Sequence, residues 1–144
     1  MADAAVPPPL PSWGPGFLGT DHWIYRLEYA VGFIAILWIL VDWRWLIERD
    51  LPATAIALTV FWFVWPDLGA FVPIGLASRG GRAWPRWGPG LYNLFHSGLT
   101  WAAVFVLWSV ATGSIAWPLL GWAAHIALDR ASGFTLRAPV LRPT

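Results

Sequence analysis

Four stretches of this chain are apolar enough and long enough to be read as buried or membrane-crossing helices, and polar residues sit between them or at their ends. The first runs from Leu27 to Ile47, close to the roughly 20 residues needed to cross hydrocarbon. Arg26 and Glu28 flank its start, and Asp42, Trp43, Arg44 and Trp45 crowd its far end as an interfacial aromatic belt does. The second opens with Pro52, suited to a first helical turn, and its apolar run from Ala53 to Trp65 is too short to span unless it continues through Pro66 to about Val72. In that case Pro66 frees a carbonyl just before Asp67. The third is predicted over about 91–111, with Asn93, His96 and Thr100 on one face. After a break at Thr112-Gly113-Ser114, the fourth runs over about 115–132, with Pro118 in its first turn and Gly133 as terminator.

The pattern predicts an all-α integral membrane protein built as a four-helix bundle, with helices at about 27–47, 53–72, 91–111 and 115–132 inside a domain of residues 26–133. Residues 1–25 form a tail rich in Pro and Gly that also carries Trp13, Phe17 and Trp23, and residues 134–144 form a short basic tail. The N-terminus lacks the basic and apolar regions of a signal peptide, so the first span is expected to stay in the mature protein.

Composition sharpens this picture. The chain is 58% hydrophobic and only 12% charged, where about 25% charged is usual in soluble proteins. The absence of cysteine removes disulfides, thiolate metal sites and thiol nucleophiles. The net charge of +1 gives no reason to expect nucleic acid. Arg79, Arg82 and Arg86, interleaved with Trp84 and Trp87 in the loop 78–90, read as an anchor on anionic headgroups. With four spans, that loop and both termini share one side. Arg130, Arg137 and Arg142 lie there too, against Arg44 and Arg49 on the other, so the positive-inside rule puts both termini in the cytoplasm.

On that topology the ionisable residues converge. His96 lies roughly 8 Å into the third helix and His125 roughly 10 Å from the end of the fourth. Asp67, Asp129 and Glu28 fall in the same cytoplasmic layer. His125 and Asp129 are four residues apart and stack on one helical face. A carboxylate inside a bilayer costs on the order of 2.5 to 3.5 kcal/mol at a helix centre, so such a set must be compensated by a metal, a shared-proton network or water. Two imidazoles and two carboxylates suit Zn, Mn or Fe. In a metal site Asp67, His96, His125 and Asp129 are the ligands, Asp67 and Glu28 carry the catalytic roles, and Glu28 accepts a proton. The competing reading is a polar network that only fixes helix register. Of the 13 Trp residues, Trp62, Trp101, Trp108 and Trp122 are candidates for packing partners or ligand walls.

The motifs Arg26-Leu27-Glu28, Pro66-Asp67-Leu68, Leu91-Tyr92-Asn93-Leu94-Phe95-His96-Ser97 and His125-Ile126-Ala127-Leu128-Asp129-Arg130-Ala131-Ser132-Gly133 resemble, in order and spacing, the DUF4260 family of small bacterial integral membrane proteins. More distantly, Pro-Asp-Leu, His-Ser and His-x-x-x-Asp-x-x-x-Gly are similar to the layout of YdjM-type membrane-bound metal-dependent hydrolases. This resemblance implies a metal site at Asp67, His96, His125 and Asp129 and a bacterial cytoplasmic (inner) membrane. Gly69 and Ala70 stand where the YdjM-type pattern carries a second carboxylate. The leading functional expectation is therefore an intramembrane Asp/His metal site hydrolysing a membrane-associated substrate. The alternative is a non-catalytic accessory subunit of a larger membrane complex, such as a pigment-protein complex, held through residues 1–25 and the loop 78–90. Proton or ion translocation is a third reading.

Overall fold

The structure is a computed structural model that describes residues 23–46, 53–78 and 84–138. Its regular elements are helices: α1 (Trp23–Leu46), α2 (Ala53–Ser78), α3 (Gly88–Phe95), α4 (Gly98–Thr112), a 3-10 turn (Trp117–Leu119) and α5 (Leu120–Ser132). Residues 1–22 and 79–83, through which the expected contact with a larger complex runs, lie outside the described residues, as do the side chains of Trp43 and Trp45.

Apolar side chains cover the outside of this protein. Val31, Ile34, Trp38 and Val41 of α1 are exposed, and so are Leu99, Val106, Leu107 and Val110 of α4, with Leu99 82% accessible. In water that surface would be unstable; in a bilayer it is the lipid-facing side. α1 over Trp23–Asp42 and α2 over its whole length are long and apolar enough to cross a membrane. α3 and α4 together make a third candidate span, bent by 54°.

Three of the expected helices differ from what forms. α2 passes through Pro66 and Pro73 and ends at Ser78, not near Val72. Asp67 is therefore about 16 Å from the helix end, deeper than the sequence places it. The third helix, expected unbroken over 91–111, is two helices, because Ser97 takes an extended conformation (φ −93°, ψ 125°). The carbonyls released at the break are used: Trp122 Nε1 donates to Phe95 O at 2.7 Å and Arg130 Nη2 donates to His96 O at 2.8 Å. The fourth helix, expected over 115–132, starts with the 3-10 turn around Pro118 and becomes α-helical at Leu120. At about 20 Å, α5 is too short to cross hydrocarbon by itself.

α5 is the centre of the fold. Every residue from Leu120 to Ala127 is buried, and α5 packs between α1 on one side and α2 on the other. Its end is a Schellman closure: Gly133 is left-handed (φ 91°), its N–H donates to Arg130 O, and Phe134 N–H donates to Asp129 O at 2.8 Å. The Arg26 guanidinium lies against Gly133, where a Cβ would come 2.8 Å from Nη2.

Against α2 the approach is closer still. A Cβ on Gly121 would overlap the Thr59 carbonyl oxygen and come 3.0 Å from Phe63 N. Small residues let membrane helices meet backbone to backbone, where dispersion gives the adhesion that water does not. The Trp62 and Trp122 rings stack above this contact at 6.0 Å and 2°. Trp108 meets Trp62 edge-on at 6.4 Å, so Trp62, Trp108 and Trp122 are packing residues, while Trp101, whose Nε1 donates to Leu119 O, also lines a cavity. On α3, the Phe95 ring covers Gly69 so closely that a Cβ there would come 2.8 Å from it.

Gly121 and Gly75 should therefore respond oppositely to the same substitution. A Cβ on Gly75 meets nothing within 4 Å. Gly75→Ala should leave stability unchanged or raise it by up to about 1 kcal/mol through helix propensity. Gly121→Ala must push α2 and α5 apart and should cost about 1 to 3 kcal/mol. Unfolding of both variants in mixed micelles checks this, and equal midpoints would refute the close approach.

Candidate metal centre

Three elements deliver the polar residues to one point. Asp67 comes from α2 and His96 from the α3–α4 break, while His125 and Asp129 come from successive turns of α5. His96 Nε2 is 3.3 Å from Asp67 Oδ1 and 3.4 Å from His125 Nε2. His125 Nε2 is 3.7 Å from Asp67 Oδ1. Asp129 Oδ2 lies 3.7 Å from His96 Nε2 and 3.6 Å from His125 Nε2. Two triangles of donor atoms thus share the His96–His125 edge.

Asp67, His96 and His125 offer atoms that all lie within 4.8 Å of one another, and these three can hold a metal ion. Tetrahedral coordination at Zn–N and Zn–O distances near 2.1 Å puts neighbouring donors about 3.4 Å apart. The three separations, 3.3, 3.4 and 3.7 Å, fit that requirement. Asp129 approaches both imidazoles but is not a member of the mutually close group.

His96 is built to present its Nε2. The residue is fully buried, and its Nδ1–H donates to Tyr92 O at 2.9 Å, one turn earlier in α3. That bond sets the tautomer and leaves the Nε2 lone pair facing Asp67 and His125, as outer partners do for metal-binding imidazoles. The Tyr92 ring stacks on the imidazole at 3.9 Å and 14°, with the Arg137 guanidinium 5.6 Å from the Tyr92 centroid. His125 is flanked edge-on by Phe63 at 5.5 Å. On the other side the site is open, since the Asp67 side chain is 51% exposed.

The remaining sequence candidates fall elsewhere. Glu28 lies on α1, across α5 from Asp67, and makes no hydrogen bond or ion pair among the described residues. Asn93 turns away from the cluster: its side chain pairs with the Arg137 backbone, donating to O at 2.9 Å and accepting from N at 2.7 Å. It ties residues 134–138 to α3.

Arg130 is the functional neighbour that sequence reasoning missed, having been counted among the cytoplasmic arginines. It is only 6% exposed and bridges Phe134 O at 2.6 Å and His96 O at 2.8 Å. One signal was present: an arginine following Asp129 inside the last helix needs acceptors wherever it is buried, and a helix break is where membrane proteins have carbonyls to spare.

No family model matches the chain, and neither a curated protein nor a solved structure does, so the likeness to the DUF4260 and YdjM-type proteins rests on the motifs alone.

Proposed function

We propose that this chain is an integral membrane protein with a divalent-metal centre held by Asp67, His96 and His125, and that the centre hydrolyses a membrane-associated substrate. One observation carries the reading: five separations of 3.3 to 3.7 Å join two imidazole Nε2 atoms and two carboxylate oxygens. Charge-assisted hydrogen bonds run at about 2.7 to 2.9 Å. Atoms that share no proton but surround a common cation stand farther apart, at the edge length of a coordination polyhedron.

An ion bound there supplies Lewis-acid polarisation of an ester, amide or phosphoryl oxygen. The chain's own groups do the rest. The Tyr92 carbonyl holds the His96 ring in place with Nδ1 protonated, and Arg130 fixes the His96 backbone through its carbonyl. Asp129, outside the close group but 3.6 and 3.7 Å from the imidazoles, accepts the proton released by the attacking water. The exposed flank of Asp67 is the side from which substrate arrives. Glu28, given the proton-accepting role from sequence, belongs instead to the cavity on the other side of α5. The arginine distribution favours cytoplasmic termini, and the motif resemblance favours a bacterial inner membrane.

Elemental analysis of protein purified in mild detergent should find close to one equivalent of Zn, Mn or Fe. His125→Ala and Asp67→Asn should each bind the metal at least about a hundredfold more weakly, since loss of even an outer partner costs 10- to 100-fold. Metal-free wild-type protein, or variants that keep their metal, would sink the proposal.

Acid should release the ion. Imidazole and carboxylate bind metal only when deprotonated, so protons compete with the ion and apparent affinity falls as pH falls. Equilibrium dialysis should show the apparent affinity falling from about pH 8 to about pH 4. An affinity unchanged across that range would mean that neither the imidazoles nor the carboxylates ligate the ion.

A further inference from the structure

On the opposite side of α5 from Asp67 lies a cavity of about 510 Å³, walled by α1, α5 and the α3–α4 break. The volume is within the range of ligand pockets, roughly 300 to 1,000 Å³. Its chemistry is graded along its length. Tyr25, Glu28 and Tyr29 of α1 and Arg130 of α5 line one end. Ile36, Leu120, Ala123 and Trp101 line the other. Between them Gly32 leaves a gap, with open space wherever its Cβ would stand.

We infer that this cavity takes one acyl chain of a membrane phospholipid, its polar head beside Tyr25, Glu28 and Tyr29 and its chain end at Ile36 and Leu120. Length supports that occupant. From Tyr25 to Ile36 the α1 axis rises about 16 Å, and one leaflet accounts for about half of the roughly 30 Å hydrocarbon core. Access supports it too. No more than a marginal contact joins α1 to α4, so the slot opens sideways between two helices whose outer faces are lipid-facing. The polar end lies near the start of the α1 span, where headgroups reside.

The slot also abuts the metal centre, because His96, Ser97 and Gly98 form part of its wall while the His96 Nε2 faces Asp67. The slot and the exposed flank of Asp67 lie on different sides of α5, so the inference concerns a lipid-binding site beyond the hydrolytic reading and stands without it.

The test uses the whole chain in phosphatidylcholine vesicles doped with two photoreactive phosphatidylcholines, one with a diazirine near the end of a chain and one with it near the head. After irradiation, peptide mass spectrometry locates the adducts. The chain-end probe should label Ile36, Trp101 and Ala123 above the lipid-facing Leu107 and Val110, and the head-proximal probe should label Tyr25, Glu28 and Tyr29. Gly32→Trp should lower the inward adducts about tenfold, the factor expected when two buried methylenes are displaced, and leave the Leu107 and Val110 adducts unchanged. Gly32→Leu, a smaller plug, should give a partial fall and serves if the tryptophan variant does not fold.

Adducts confined to outward-facing residues, inward adducts indifferent to both plugs, or the two probes labelling the same end would overturn the inference. Metal content is measured on the same samples. Metal-free protein with inward adducts removes the hydrolytic reading and keeps the lipid site, whereas metal-loaded protein without inward adducts does the reverse.

Discussion

The backbone contact between α2 and α5 at Gly121 is the constraint from which the rest follows. Gly121 meets Thr59 and Phe63; one turn further along each helix stand His125 and Asp67. Because an α-helix repeats its faces every three to four residues, fixing the first pair fixes the second. A separation wider by one methyl group would move His125 away from Asp67 by an amount comparable to the difference between a coordinating pair and a non-coordinating one. A residue with no side chain therefore sets the dimensions of the polar site, and the Trp62–Trp122 stack holds the helices at that distance.

The second structural device is the break at Ser97. A continuous helix would close the Phe95 and His96 carbonyls internally and offer α5 nothing polar to hold. Opened, it gives acceptors to Trp122 and Arg130, two donors that would otherwise be costly at this depth. These bonds cross from the third span to the central helix, so His96 is fixed at Nδ1 and at its own carbonyl while its Nε2 is left for the cluster. The break serves packing and the site together.

Depth was legible for three of the four cluster residues, and lateral arrangement was not. A rise of about 1.5 Å per residue is nearly independent of context, so counting from helix ends brought His96, His125 and Asp129 to one layer, and they do meet, whereas Asp67 joins them from deeper inside α2 than its expected end allowed. The same counting brought Glu28 to that layer, but it could not reveal that α5 stands between Glu28 and Asp67. The far end of α2 was expected near Val72, yet the helix runs on through Pro73 to Ser78, as proline allows where neighbouring helices take up the freed backbone groups. The break at Ser97 was hidden for a different reason. Ser97 and Gly98 are each tolerated in membrane helices, and the groups that make an extended Ser97 favourable, Trp122 and Arg130, are about thirty residues away in sequence.

The site is asymmetric, and the asymmetry gives it a direction. His96 is enclosed, stacked by Tyr92 and fixed by hydrogen bonds at two of its atoms, whereas Asp67 is half in the open. A set meant only to lock helix register gains from full enclosure, since a carboxylate left with an open flank has fewer protein donors to satisfy it. Leaving one carboxylate accessible on a membrane-crossing helix has a cost of its own, on the order of 2.5 to 3.5 kcal/mol for a charged group near the helix centre. A rigid nitrogen pair behind an accessible oxygen is the arrangement that tolerates that cost when something has to enter, because the entering group meets ligands that are already in place.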